Sequence, residues 1–351
     1  MKKNTKINLT RKQFIQISAA GAAGLLAGCQ AVPPAATPIP PAPTADAAAR
    51  RAELIRKYPV VPSRVVQTHG EGVWESDALS PAALRRMLDT SITRLTGLTD
   101  AREAWAALFS PDDRVAIKVN AFRNSIIFTH VPLVTAVTDA LQDAGVPANQ
   151  IVLYDFLTSE LETAGFTINR DGDGVRCYGS EGGYKEYSDV GGTAVQLSPI
   201  LNDCTALINM PVLKSHMISG ITFAMKNHFG STNNASSLHY PIGEKMAGLN
   251  ALPQIKDRTR LIIGDMLEAN VEYSATFPYW KADWKGDAIL MSFDPVAHDT
   301  VGFNILKKLL AEKGVSSEGH VYMATPCLES AAALGLGTNL PENMEWVELT
   351  A

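Results

Sequence analysis

Short apolar runs bounded by turn residues alternate with stretches of helical periodicity through most of this chain. Arg114–Asn120 and Ile151–Asp155 are compact apolar runs of the kind that fill a buried strand. Between them, Pro132–Ala144 carries apolar residues at helical spacing and stops at Gly145. Strand, helix and strand over this distance make a βαβ unit, which implies a parallel sheet. The same reading predicts strands at Val175–Tyr178, Ala194–Leu197, Ala206–Met210, Arg260–Ile263 and Ala288–Phe293. It predicts helices at Pro81–Leu88, Ala101–Leu108, Thr222–His228, Pro295–Leu310 and Ser317–Ala333. Ser80 stands at the N-cap position of the first helix and Pro81 at its first turn. The expected fold is α/β, a mainly parallel sheet flanked by helices, with a helical N-terminal extension.

The start of the chain breaks this pattern. Lys2, Lys3, Lys6, Arg11 and Lys12 form a basic segment, followed by apolar and small residues from Ile17 to Ala27. That order suits an export signal, and the apolar part is too short to span a bilayer comfortably. Leu26-Ala27-Gly28-Cys29 resembles a bacterial lipobox, which implies that Cys29 is lipidated and becomes the mature N-terminus. Thr10-Arg11-Lys12-Gln13-Phe14-Ile15 resembles a twin-arginine signal with lysine in place of the second arginine. A plain cleaved signal is the alternative. Residues 30–49 are rich in proline and alanine, a composition that forms no core and reads as a tether. The expected organisation is a signal at 1–29, a tether at 30–49, a helical extension at 50–110 and an α/β domain at 111–351. The expected location is the cell envelope, outside the cytoplasm, with the membrane reached through the lipid on Cys29.

Composition narrows the partners. The 351 residues carry a formal net charge of -5, which argues against nucleic acid as a partner. Besides Cys29 only Cys177, Cys204 and Cys327 are present, and no Cys-x-x-Cys occurs. Neither an iron–sulfur cluster nor a zinc ribbon is encoded, and one disulfide among the three remains open.

Against the acidic balance, the run from Lys214 to Gly230 stands out. It holds Lys214, His216, Lys226, Asn227 and His228 and contains no acid. It follows the apolar stretch Ala206–Leu213, which reads as a strand ended at Pro211. Ligands of open α/β sheets bind beyond strand ends, so a small anionic ligand is expected there. Lys118 and Asn120 end the first strand of the βαβ unit, Asp155 ends the second and Asp265 follows another. Asp294 and Asp299 flank the junction into the helix at Pro295; Asp294 reads as a helix cap. Lys118, Asn120, Asp155, Asn227 and Asp299 are therefore candidate ligand-binding residues, with His216, Lys226 and Lys214 as candidates for the chemistry. A histidine near neutrality can move a proton, and a lysine in a partly buried cationic cluster has a lowered pKa and can be nucleophilic.

Four motifs carry a family resemblance. Ile117-Lys118-Val119-Asn120, Pro211-Val212-Leu213-Lys214-Ser215-His216, Met225-Lys226-Asn227-His228-Phe229-Gly230 and Asp294-Pro295-Val296-Ala297-His298-Asp299 are similar, in order and spacing, to the signatures of the DUF362 family. That family has no settled general activity, and the iron–sulfur segment of some members is not found here. A shorter stretch resembles nickel-pincer lactate racemases: His216, Gly220, Ile221 and Lys226 keep their spacing, while Phe223-Ala224 replace paired glycines. This resemblance implies an acid/base role for His216 and covalent attachment of a pincer cofactor to Lys226. It also implies a metal at His239, with Asp265 as a further candidate ligand. Two readings stand: an exported enzyme doing proton-transfer or redox chemistry, or a non-catalytic lipoprotein that binds an anion or metal for a partner.

Overall fold

The computed structural model describes residues 62–351. The signal, the tether and Cys29 lie outside the described residues. The centre is a sheet of ten strands, six of whose pairings are parallel and three antiparallel. Val115–Lys118, Ile151–Tyr154 and Ala206–Asn209 run side by side and parallel, with Lys118 level with both Tyr154 and Asn209. Alternate residues of these strands feed different cores. Ala116 and Leu207 pack on one face, and Val115, Ile117, Ala206 and Ile208 on the other. Burial on both faces is why these segments read as unbroken apolar runs.

The helices expected at 81 and 101 form as Pro81–Thr96 and Ala101–Leu108. They are preceded by a strand the pattern did not single out, Ser63–His69. It lies inside the sheet, antiparallel to Trp284–Ser292 and parallel to the C-terminal strand Met344–Thr350. The expected boundary at residue 110 thus falls between elements of one sheet. The pair at Tyr187–Val190 and Thr193–Gln196 stands apart as its own two-stranded sheet.

The strand from Ala206 ends at Asn209, before Pro211, as expected, and a new strand follows at once. The chain resumes as Val212–His216, parallel to the distal half of the twelve-residue strand Thr259–Asn270. His216 therefore sits on a strand and not in a loop. The strand folds back on Gly220–Thr222. Gly220 has φ of +70°, and a Cβ there would strike the His320 carbonyl, so this turn admits only glycine. Cys177, Cys204 and Cys327 are buried and unpaired, so no disulfide links them. Among the described residues no helix is long and apolar enough to cross a membrane.

Candidate functional site

The parallel strands bring the expected residues to one rim, where they form two adjoining groups. The first is a buried hydrogen-bonded chain. Lys118 Nζ donates to Asp155 Oδ1 at 2.6 Å, to the Val119 carbonyl at 2.6 Å and to Asn227 Oδ1 at 3.4 Å. Asp155 also accepts the backbone N–H groups of Ala121 and Phe156. Asn227 accepts from Asn120 Nδ2, and Asn120 Oδ1 accepts from Lys214 Nζ at 2.7 Å. Lys214 donates further to Ser125 Oγ and the Ile127 carbonyl. Burial lowers the Lys214 pKa to about 7 against the opposing pull of Asp155 and Asp265. Lys118 and Lys214 each have three oxygen acceptors, so neither keeps an uncommitted N–H for a ligand. Gly230 closes this group, since a Cβ there would overlap Asp155 and Lys118.

The second group has spare capacity. Lys226 and Asn227 lie on the short helix Ala224–Asn227. Asp299 fixes that helix by accepting the N–H of Ala224 at 2.7 Å and of Met225 at 2.9 Å. Asp299 is thus a positioning carboxylate: its oxygens face backbone donors and the His298 ring, not an open ligand space. Asp294 caps its own helix, as expected, by accepting from Val296 and Ala297.

Lys226 Nζ stands 3.0 Å from His239 Nε2 and 3.8 Å from the centre of the Phe229 ring. His239 Nδ1 is 3.0 Å from the Ala235 carbonyl, which can only accept, so Nδ1 carries the proton and Nε2 offers its lone pair to Lys226. Burial, with the neighbouring Lys226 charge, lowers the His239 pKa to about 3. Burial lowers the Lys226 pKa to about 7.

The His216 ring lies between those of His239, 6.1 Å away, and Trp280, 5.6 Å away. Its Nδ1 accepts from the N–H groups of Ile218 and Ser219, so Nε2 bears the hydrogen. Burial, Lys226 and His239 all push its pKa well down, which keeps the ring neutral. Residues His216 and Lys226 are only 8% and 7% exposed. Both side chains are enclosed. Trp280 reaches the site from the segment 271–283. Asn270 pins that segment through the Glu272 and Lys281 carbonyls, and Asp283 through the N–H groups of Val271 and Glu272. Trp280 Nε1 then donates to the Ser215 carbonyl. Trp280 and Phe229 are site residues that sequence reasoning missed.

The chain matches the family described as Domain of unknown function (DUF362) over residues 115–304. It belongs to the DUF362 family. All four motifs that carried the resemblance contribute to the two groups above. Two solved structures are similar to this DUF362 chain. One is a Thermotoga maritima protein, with 10% identity, a TM-score of 0.39, and 68% of this chain and 60% of that one covered. The other is the lactate racemase apoprotein from Thermoanaerobacterium thermosaccharolyticum, with 10% identity, a TM-score of 0.38, and 70% and 57% covered. The chain spans less than two thirds of the length of either. No curated protein matches it.

The expected metal ligands do not converge. His239 Nε2 faces Lys226, whereas Asp265 Oδ2 accepts from the backbone N–H of His130 and lies 2.8 Å from its Nδ1. Burial alone would lower the His130 pKa, but Asp265 and Glu268 outweigh it and raise it to about 9. Among the described residues no group of three or more histidine, cysteine, aspartate or glutamate side chains is placed to hold a metal ion. A cleft lined partly by Asn209, His228 and Asn250 is also present. None of His216, Lys226 and His239 lines it, so the candidate site is placed by the side-chain chemistry and not by that cleft.

Proposed function

We propose that this chain is an exported, lipid-anchored DUF362 enzyme that moves a proton on a small anionic substrate at the His216, Lys226 and His239 cluster. The observation that carries this reading is the contact between the Lys226 amine and the unprotonated His239 Nε2, in a group without a carboxylate. A neutral amine beside a neutral imidazole lone pair is a proton-accepting pair. The neutral His216 Nε2–H is a donor for a carbonyl or oxyanion. The roles thus shift: His239, expected as a metal ligand, becomes the base partner, and His216, expected as acid/base, becomes the hydrogen-bond donor.

The donor set does not fit a metal held by this chain, because the His216 Nδ1 lone pair is taken by backbone N–H groups and the His239 Nε2 lone pair faces Lys226. A nucleotide-sized pincer group on Lys226 does not fit the enclosed site either. The amine is walled by Phe229 and His239, and the neighbouring ring by Trp280.

Proton transfer is read directly by NMR, as deuterium entering the carbon next to the carboxylate of short hydroxy and oxo acids in heavy water. The parent should catalyse that exchange for at least one such acid. His216→Ala should slow it about 10²–10³-fold, the effect of removing one oxyanion donor. If the parent exchanges none of them, the proton-transfer reading falls and a binding lipoprotein takes its place.

The anchor is tested separately. Cys29→Ser should shift the protein from the detergent phase to the aqueous phase, or leave an uncleaved precursor. Unchanged partitioning rejects the lipobox.

A further inference from the structure

Four described lysines are buried: Lys118, Lys214, Lys226 and Lys245. Three of them are surrounded by oxygen. Lys118 and Lys214 have the acceptors given above, and Lys245 Nζ donates to the carbonyls of Val190 and Gly191 and to Thr193 Oγ1. Lys226 differs. Its hydrogen-bond partner is a single nitrogen, His239 Nε2, and its other close neighbour is the face of Phe229. The titratable groups facing it are His216 from Val212–His216, His239 from the turn Ala235–His239, and Cys327 from the helix Glu318–Ala333. None is a carboxylate. A buried ammonium without counter-charge or oxygen acceptors is unfavourable, so this environment selects the neutral amine. The other three lysines hold structure, while Lys226 retains a reactive lone pair.

We propose that Lys226 is a nucleophile that captures a small carbonyl compound, a short 2-oxo acid or aldehyde, as an imine. This rests on the same site reading and names its substrate class. The Nζ lone pair forms a bond to the carbonyl carbon, and the C=O π pair moves onto oxygen, opposite the His216 Nε2–H. His239 Nε2 takes one proton from nitrogen and returns it to oxygen. The second N–H proton leaves with that oxygen as water, and the nitrogen lone pair closes the C=N bond. Two hydrogens and one oxygen depart as water, with no change of oxidation state. The imine draws electrons from the adjacent carbon, which eases the loss of a proton there.

The test incubates the full protein at neutral pH with glyoxylate and cyanoborohydride, which reduces an imine to a stable amine, followed by peptide mapping. The reduced adduct should be enriched on Lys226 about tenfold or more over the exposed Lys185, Lys281 and Lys308. Ordinary surface lysines are almost wholly protonated at that pH. Lys226→Arg should abolish the enriched adduct, and His216→Gln should slow its formation without redirecting it. Adducts spread over the surface lysines with Lys226 unmodified overturn the imine. If deuterium exchange persists in that case, the proton-transfer reading survives without it. Enriched labelling without exchange keeps the imine and removes the proton-transfer reading.

Discussion

Asp155→Ala should lower stability by about 3–5 kcal/mol, the effect of breaking a buried ion pair from one side. Lys118 and Asp155 meet at 2.6 Å with side chains 1% and 5% exposed. Removing the carboxylate leaves the Lys118 charge beside a carbonyl and an amide oxygen only. It also strips the N–H groups of Ala121 and Phe156 of their acceptor. An unsatisfied buried donor adds about 1–3 kcal/mol by itself, so the estimate is not driven by the ion pair alone. The melting temperature should fall by roughly 10 °C in a domain of this size. The double variant Lys118→Met, Asp155→Leu should recover part of the loss, because an apolar pair does not leave a stranded charge. A loss below about 1 kcal/mol for Asp155→Ala, read by urea unfolding, would show that water reaches this pair and that the network is not a closed structural lock.

The legibility of this site follows from sequence distance and from what each contact needs. Lys118 and Asp155 end neighbouring parallel strands, and the apolar runs that define those strands also place the two residues together. Lys214 and His216 were placed beyond the strand that ends before Pro211; the pattern did not show the new strand that carries them, which starts where the Pro211 carbonyl accepts from Asp265 N–H. Ser63–His69 escaped notice because polar residues interrupt it and its partners lie at the far end of the chain. Asp299 was read as a ligand-binding candidate, whereas a carboxylate buried within a helix takes a partner. That the partner is the start of another helix is a tertiary fact without local signal. Trp280 is similar: the segment that carries it has no periodicity, and only the bonds of Asn270 and Asp283 direct it onto His216. The role of His239 depends on a tautomer fixed by the Ala235 carbonyl, which no spacing rule reveals.

Lys226→Met should make the protein more stable and inactive at once. The native amine has a pKa of about 7 against an ordinary 10.5. The unfolded chain therefore binds more protons than the native one between these values, and parent stability rises with pH across that window. Below pH 7 the native amine is protonated in a site with no counter-charge, and the full penalty is present. Each pKa unit corresponds to about 1.4 kcal/mol, so the penalty is on the order of 2–5 kcal/mol. Methionine removes the charge and keeps the apolar stem against Phe229. The variant should therefore exceed the parent in stability at pH 6, and its advantage should shrink steadily between about pH 7 and 10.5. His130 works in the opposite sense: its pKa is raised from 6.5 to about 9, so it contributes stability that is lost as pH rises through 9. Because His130 is present in both proteins, the difference between the two pH profiles isolates Lys226. Exchange of deuterium should meanwhile fall by ~10²–10⁴-fold, as expected for loss of a proton-transfer group. A residue kept only for packing would show the reverse, a less stable variant with a pH-independent difference. A buried amine that lowers stability yet is needed for exchange fits the proposed chemistry, and a variant that is less stable at pH 6 yet still active would reject it.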